Sequence, residues 1–101
     1  MAGPLAIDRV AVAELCRRHG VRRLLVFGSA VRADFDEATS DVDFVVEYHD
    51  NLPNRFDAYF GLKEDLEILL GRPVDLVSGA ALDNPYFARS VAHDSRELYA
   101  A

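Results

Sequence analysis

The chain has 101 residues, half of them apolar, and a formal net charge of −6. That length suits a single domain over residues 1–101 with a modest core, and its one cysteine, Cys16, excludes an internal disulfide, as suits a reducing cytoplasm. The acidic balance argues against a broad phosphate-backbone footprint, so no direct nucleic-acid binding is expected.

Met1 to Leu5 lacks the basic and apolar regions of a secretory signal, and no apolar run approaches the roughly 20 residues that span a bilayer. A soluble cytoplasmic protein without a membrane partner is the expectation. The first periodic segment, about Ile7 to His19, predicts a helix with Ile7, Val10, Ala11, Leu15 and Cys16 on one face, stopped by Gly20. The apolar run Leu24-Leu25-Val26-Phe27 predicts a buried strand that ends at Gly28-Ser29, where a brief helix opens. Asp41 to Glu47 is the clearest strand, with Val42, Phe44 and Val46 on one face and Asp41, Asp43 and Val45 on the other. After a turn at Asn51 to Asn54, a helix is predicted from about Arg55 to Leu70, with Phe56, Tyr59, Phe60, Leu66 and Leu70 toward the core and Gly71 at its end. Gly61 weakens that helix by up to about 1 kcal/mol relative to alanine. Pro73 to Val77 predicts a third strand. Asn84-Pro85 caps a last helix carrying Phe87, Val91 and Leu98. The order α-β-α-β-α-β-α predicts a mixed α/β (α+β) fold, a small sheet flanked by helices.

Residues two apart on a strand share a face, so Asp41 and Asp43 converge on one patch. Two carboxylates about 5 Å apart repel by roughly 3 kcal/mol at an effective dielectric of 20. A divalent cation relieves this, and Mg²⁺ takes hard oxygen ligands from one or two carboxylates, with water and phosphates completing its shell. Asp75 is the polar residue of an otherwise apolar third strand; if that strand neighbours the second, all three carboxylates join one site. Three carboxylates can hold two divalent ions, the arrangement that clamps the attacking and leaving oxygens of a phosphoryl displacement. Upstream, Gly28 permits close backbone approach to an anion, Ser29 adds a hydroxyl, and Arg32 either adds a charge or pairs with the acidic loop. Ser40 reads first as a turn or cap residue at the edge of this nucleotide-binding set.

Gly28-Ser29-Ala30-Val31-Arg32, followed by Ser40-Asp41-Val42-Asp43-Phe44-Val45-Val46-Glu47, resembles the signature of the polymerase-β-type nucleotidyltransferase superfamily. Within it the chain most resembles the minimal nucleotidyltransferases that pair with helical HEPN ribonuclease toxins. The likeness continues through Gly61 to Glu67, Leu70 to Val77, Asn84-Pro85-Tyr86 and Leu98-Tyr99, nearly the whole chain. Two departures, Ala33 where the family commonly has glycine and a longer acidic loop from Asp34 to Thr39, sit in the connection and not at the ligands.

The resemblance implies Gly28 and Ser29 as the phosphate-binding pair, Asp41 and Asp43 as the metal pair and Asp75 as the third catalytic carboxylate. It implies ATP as donor, Mg²⁺ (or Mn²⁺) as metal, and a tyrosine hydroxyl of a cognate HEPN toxin as acceptor, which would make this chain the antitoxin. Two alternatives stand beside it: an antitoxin that neutralises by binding alone, and an enzyme that adenylylates a small hydroxylated molecule. His19, His49 and His93 recur at no metal-ligand spacing and read as structural. Cys16 reads as core, the Arg17, Arg18, Arg22 and Arg23 cluster as solvated, and Tyr59, Phe60, Tyr86 and Phe87 as core in preference to a base-stacking platform.

Overall fold

Local signals set the elements in the computed structural model, which describes residues 6–32 and 41–101; Ala33, the acidic loop at 34–39, Ser40 and the Ser29 side chain lie outside that description. Asp8 accepts the Val10 and Ala11 amides at 3.1 and 3.2 Å and opens helix α1, Arg9–Arg18. Strand β1, Val21–Phe27, runs into a 3₁₀ turn at Gly28–Val31, and β2 follows at Val42–Tyr48. Asn54 caps α2, Arg55–Leu70, which Gly71 ends in the left-handed region at φ +68°. Strand β3 is Val74–Ser78. A 3₁₀ turn at Gly79–Asp83 leads to α3, Pro85–His93, whose first amides Tyr86 and Phe87 donate to the Asn84 side chain.

Strand β4, Ser95–Ala100, differs from expectation: α3 ends at His93, and Leu98 lies in this strand and not in the last helix. The strand lies at the sheet edge with Leu98 its one buried residue, so it carries no alternating apolar signal.

The strands form one mixed sheet in the order β3-β2-β1-β4. β1 pairs antiparallel with β2 and β4, and β2 pairs parallel with β3. A parallel pair cannot be closed by a tight turn, and α2 supplies the crossover. One sheet face carries the main core: Leu24, Val26, Val42, Phe44, Val46 and Leu76 pack with Val12 and Cys16 of α1 and Leu62 and Leu66 of α2. The other face places Leu25, Val45 and Phe27 against Val91, Leu82 and Phe87. There the Phe27 and Phe87 rings meet edge to face at 5.5 Å. The expected small sheet flanked by helices is the fold observed.

Helix faces differ from expectation at three places. Val10 is 72% exposed while Val12 and Cys16 face inward. On α2 the buried stripe is Ala58, Leu62 and Leu66; Tyr59 and Leu70 pack at its margin, but Phe56 and Phe60 are 70% and 50% exposed and lie against each other at 4.8 Å. Apolar residues ring most of this helix, so spacing alone does not say which side meets the sheet. Tyr86 is 82% exposed and is not core.

Gly61 has a packing reason: a Cβ there would meet the His19 ring at 2.8 Å, so the glycine lets α1 and α2 approach. His19 itself lies 2.6 Å from the Asp65 carboxylate across that contact, the structural role expected of it. At the far end of α2, Glu67 accepts the Val74 amide at 3.0 Å and Lys63 Nζ at 3.1 Å, joining the helix to the start of β3. Among the described residues no helix is long and apolar enough to cross a membrane.

Candidate active site

The sheet topology brings the sequence-predicted residues to one end. β2 and β3 run parallel, and their register sets Asp43 directly opposite Asp75. Neighbouring strands lie about 4.8 Å apart, so the two carboxylates leave adjacent backbones on the same face, the face of Val45. Asp41 enters that patch from the residue before β2. On the other side of Asp43 the register pairs it with Phe27, the last residue of β1. The chain then turns at Gly28, whose φ of +76° favours glycine. A Cβ at Gly28 would stand 3.3 Å from Asp43 Oδ2, so the missing side chain keeps the space in front of that carboxylate open.

Asp43 is half-buried, while Asp41 and Asp75 are exposed. Burial pushes the Asp43 carboxyl above its ordinary value, and repulsion from Asp75 and then Asp41 pushes it further. Among the described residues none of the three forms an ion pair. Nor do any three His, Cys, Asp or Glu side chains among the described residues close into a ready-made metal cage. The donor chemistry still fits Mg²⁺, which is commonly held by one or two carboxylates and completed by water and substrate phosphates.

The turn is built differently from the simple expectation of free amides. The Gly28 N–H donates to the Asp94 carbonyl at 3.0 Å, which leaves the later amides of the 3₁₀ turn as the donors without an intrahelical partner. Arg32 Nη1 donates to Asp94 Oδ2 at 3.3 Å. Asp94, the residue after α3, thus holds both ends of the turn. Sequence reasoning missed it, because nothing in a lone aspartate after a helix signals a partner two strands away. Ser40 and the Ser29 hydroxyl lie outside what is described.

The basic cluster is largely paired. Arg18 meets Asp65 at 3.5 Å, Arg22 meets Glu47 at 3.3 Å, and Arg23 meets Glu47 and Glu97 at 3.4 and 2.9 Å. A shallow cleft of about 180 Å³, lined by Arg22, Glu47, Tyr48, Asp50, Arg55 and Ser78 among others, lies at the opposite end of β2 and β3. It contains none of the predicted site residues.

A family model described as a nucleotidyltransferase domain matches residues 9–98. Protein adenylyltransferase MntA of Thermococcus cleftensis is 45% identical over 69 residues, 68% of this chain and 67% of that protein. A solved structure described as a candidate minimal nucleotidyltransferase superposes with a TM-score of 0.70 at 38% identity, covering 87% of this chain and 86% of that one. A chain from a Shewanella oneidensis complex, a tri-AMPylated HEPN toxin with an MNT antitoxin, shares the fold with a TM-score of 0.60 at 22% identity, covering 92% of this chain and 70% of that one.

Proposed function

The chain belongs to the nucleotidyltransferase domain family and is a nucleotidyltransferase, and from that membership we propose that it is an antitoxin that transfers AMP from ATP to a tyrosine hydroxyl of a cognate HEPN toxin. The observation that carries the proposal is the in-register pair Asp43 and Asp75, with Asp41 beside it and the Gly28 turn against it. Adenylyl transfer needs a turn that can receive a triphosphate and carboxylates that can hold a divalent metal, and on this reading these elements would serve as both at one sheet end. The adenylyltransferase name of the Thermococcus cleftensis relative and the toxin–antitoxin complex among the structural neighbours support the direction of the reading.

In this reading Asp41, Asp43 and Asp75 would hold two Mg²⁺ ions, which supply charge neutralisation on the phosphates when bound. The open backbone at Gly28 lets the triphosphate approach Asp43 without a side chain between them. The amides after Gly28 would orient the phosphates, with the Ser29 and Ser40 hydroxyls as the further donors expected from the sequence. Arg32, steadied by Asp94, lends a positive charge at the end of the same turn. Asp75, on the outer strand, would lie near the acceptor hydroxyl and accept its proton or hold the metal that acidifies it, as the hydroxyl oxygen bonds to the α-phosphorus and pyrophosphate leaves along the Gly28 turn.

The test uses the chain with its toxin, ATP and Mg²⁺. Intact mass should show AMP added to the toxin, and the toxin should stay inactive after this protein is stripped away. The variant carrying Asp41→Asn and Asp43→Asn should add no AMP. If that variant, at native levels, rescues toxin-expressing cells as well as the parent does, neutralisation is by binding and the proposal fails. Transfer to aminoglycoside-like small molecules with none to the toxin would equally refute it.

A further inference from the structure

We infer that Glu67 is a positioning residue for the carboxylate site: it holds the first residue of β3 and thereby the register that sets Asp75 opposite Asp43, an inference that rests on the metal role proposed for those two aspartates. Among the described residues β3 is an edge strand whose one neighbour is β2. At the entrance to the pair, the Val42 amide donates to the Pro73 carbonyl at 3.1 Å. The Val74 amide is taken from the other side, by Glu67 Oε2 at 3.0 Å. The next residue is Asp75.

The edge strand is therefore gripped on both sides immediately before its functional residue. Lys63, one turn earlier on α2, holds the same Glu67 oxygen at 3.1 Å and fixes the carboxylate's direction. The connection between the two ends needs such a grip. Gly71 ends α2 at φ +68°, its N–H donating to the Glu67 carbonyl at 2.8 Å, and a Cβ there would face open space, so no side chain at this position helps to place the start of β3. A slip of one residue in a strand turns every side chain to the opposite face. On β3 that slip would bury Asp75 toward α2 and aim Val74 or Leu76 at the site. Glu67 opposes it without touching the site itself.

A plain helix–strand tie would affect stability alone, so the test reads metal affinity separately from melting. Mn²⁺ is the probe, titrated by electron paramagnetic resonance in the presence of a non-hydrolysable ATP analogue. Residues that orient metal ligands from behind typically change metal affinity by 10–100-fold when removed. Glu67→Ala should weaken Mn²⁺ binding about tenfold or more. Glu67→Gln, which keeps an oxygen for the Val74 amide, should restore most of it. Lys63→Ala, which removes the ion pair but not the Val74 contact, should bind within about threefold of the parent. Should Glu67→Ala fail to fold, Glu67→Asp decides, since it keeps the charge but shortens the reach; it should show the same loss. Parent-like affinity in a folded Glu67→Ala or Glu67→Asp would overturn the role. Asp75→Asn separates the two claims: lost affinity there with none lost at position 67 refutes Glu67 alone, whereas parent-like affinity in Asp75→Asn refutes the site on which it rests.

Discussion

Removing one charge from the carboxylate patch should make the metal-free protein more stable and the metal-bound protein less so. Asp43 is the choice, because it lies between Asp41 and Asp75 and is the most buried of the three. At roughly 5 Å and an effective dielectric of 20, each like-charge pair costs about 3 kcal/mol. Asp41 and Asp75 are exposed, so solvent screening cuts the recoverable part to about 1 kcal/mol. For a domain of this size that corresponds to a rise in Tm of about 4–8 °C for Asp43→Asn. The assay is thermal melting in EDTA at low ionic strength, followed by circular dichroism. In about 1 M salt, where the Debye length falls to roughly 3 Å, the gain should shrink.

The pH dependence has a definite sign. The folded-state pKa of Asp43 is raised, by burial first and by its neighbours second. The folded protein therefore keeps the proton longer than the unfolded chain, and the parent loses stability as pH rises through the carboxylate range. The gap between variant and parent should be absent below the ordinary aspartate pKa and open fully above the raised one. With Mg²⁺ and a non-hydrolysable ATP analogue at about 100 times Kd, the parent should gain about 2.7 kcal/mol, and Asp43→Asn should not. A variant that melts below the parent in EDTA, or that gains as much from Mg²⁺, refutes the reasoning.

Gly28→Ala should cost about 1–3 kcal/mol in urea unfolding, because a side chain must adopt positive φ, and it should also weaken nucleotide binding by crowding Asp43. Gly61→Ala should destabilise by about 1–3 kcal/mol despite the better helix propensity, since the new Cβ strikes the His19 ring that Asp65 holds. In a His19→Ala background the same change should turn stabilising, by up to about 1 kcal/mol; destabilisation in both backgrounds would refute the clash. Tyr48→Phe should leave Tm within a few degrees of the parent. Its buried hydroxyl has no hydrogen-bond partner among the described residues, and burial has pushed the phenol up to about 12.

The helix α2 was legible to the residue, Arg55–Leu70, because Asn54 and Gly71 are strong and independent end signals. The apolar core of β1 and the strand at β2 were legible from their composition, though β1 begins three residues before Leu24 and β2 is shifted by one, Val42–Tyr48, which leaves Asp41 just outside it. The facing of Asp43 by Asp75 was legible only conditionally: both aspartates were picked out, but their adjacency depends on a crossover that local sequence does not encode. What escaped shares a cause. β4 draws its stability from β1 and buries little, so Ser95-Arg96-Glu97 offers no periodicity. Phe56 and Phe60 look like core by residue type, yet the sheet selects the Ala58–Leu62–Leu66 stripe. Asp94 matters through its carbonyl as much as its carboxylate, and a backbone carbonyl has no sequence signature.

The parallel β2–β3 pair has a kinetic consequence. β1 and β2 are sequence neighbours and form an antiparallel ladder early at small entropic cost, whereas β3 can join only after the whole of α2 has folded back across the sheet. The strand that carries Asp75 is thus among the last contacts made and, lying at an edge, among the first lost. Native-state hydrogen exchange should show the β3 amides of Asp75 and Val77, which face β2, opening at lower free energy than those of Leu25 and Val45, which lie in the two central strands. A partly unfolded molecule that still looked native by most of its sheet would already have come apart where Asp43 faces Asp75, so if the proposed site is the one that works, activity becomes a more sensitive gauge of the chain's integrity than its secondary structure.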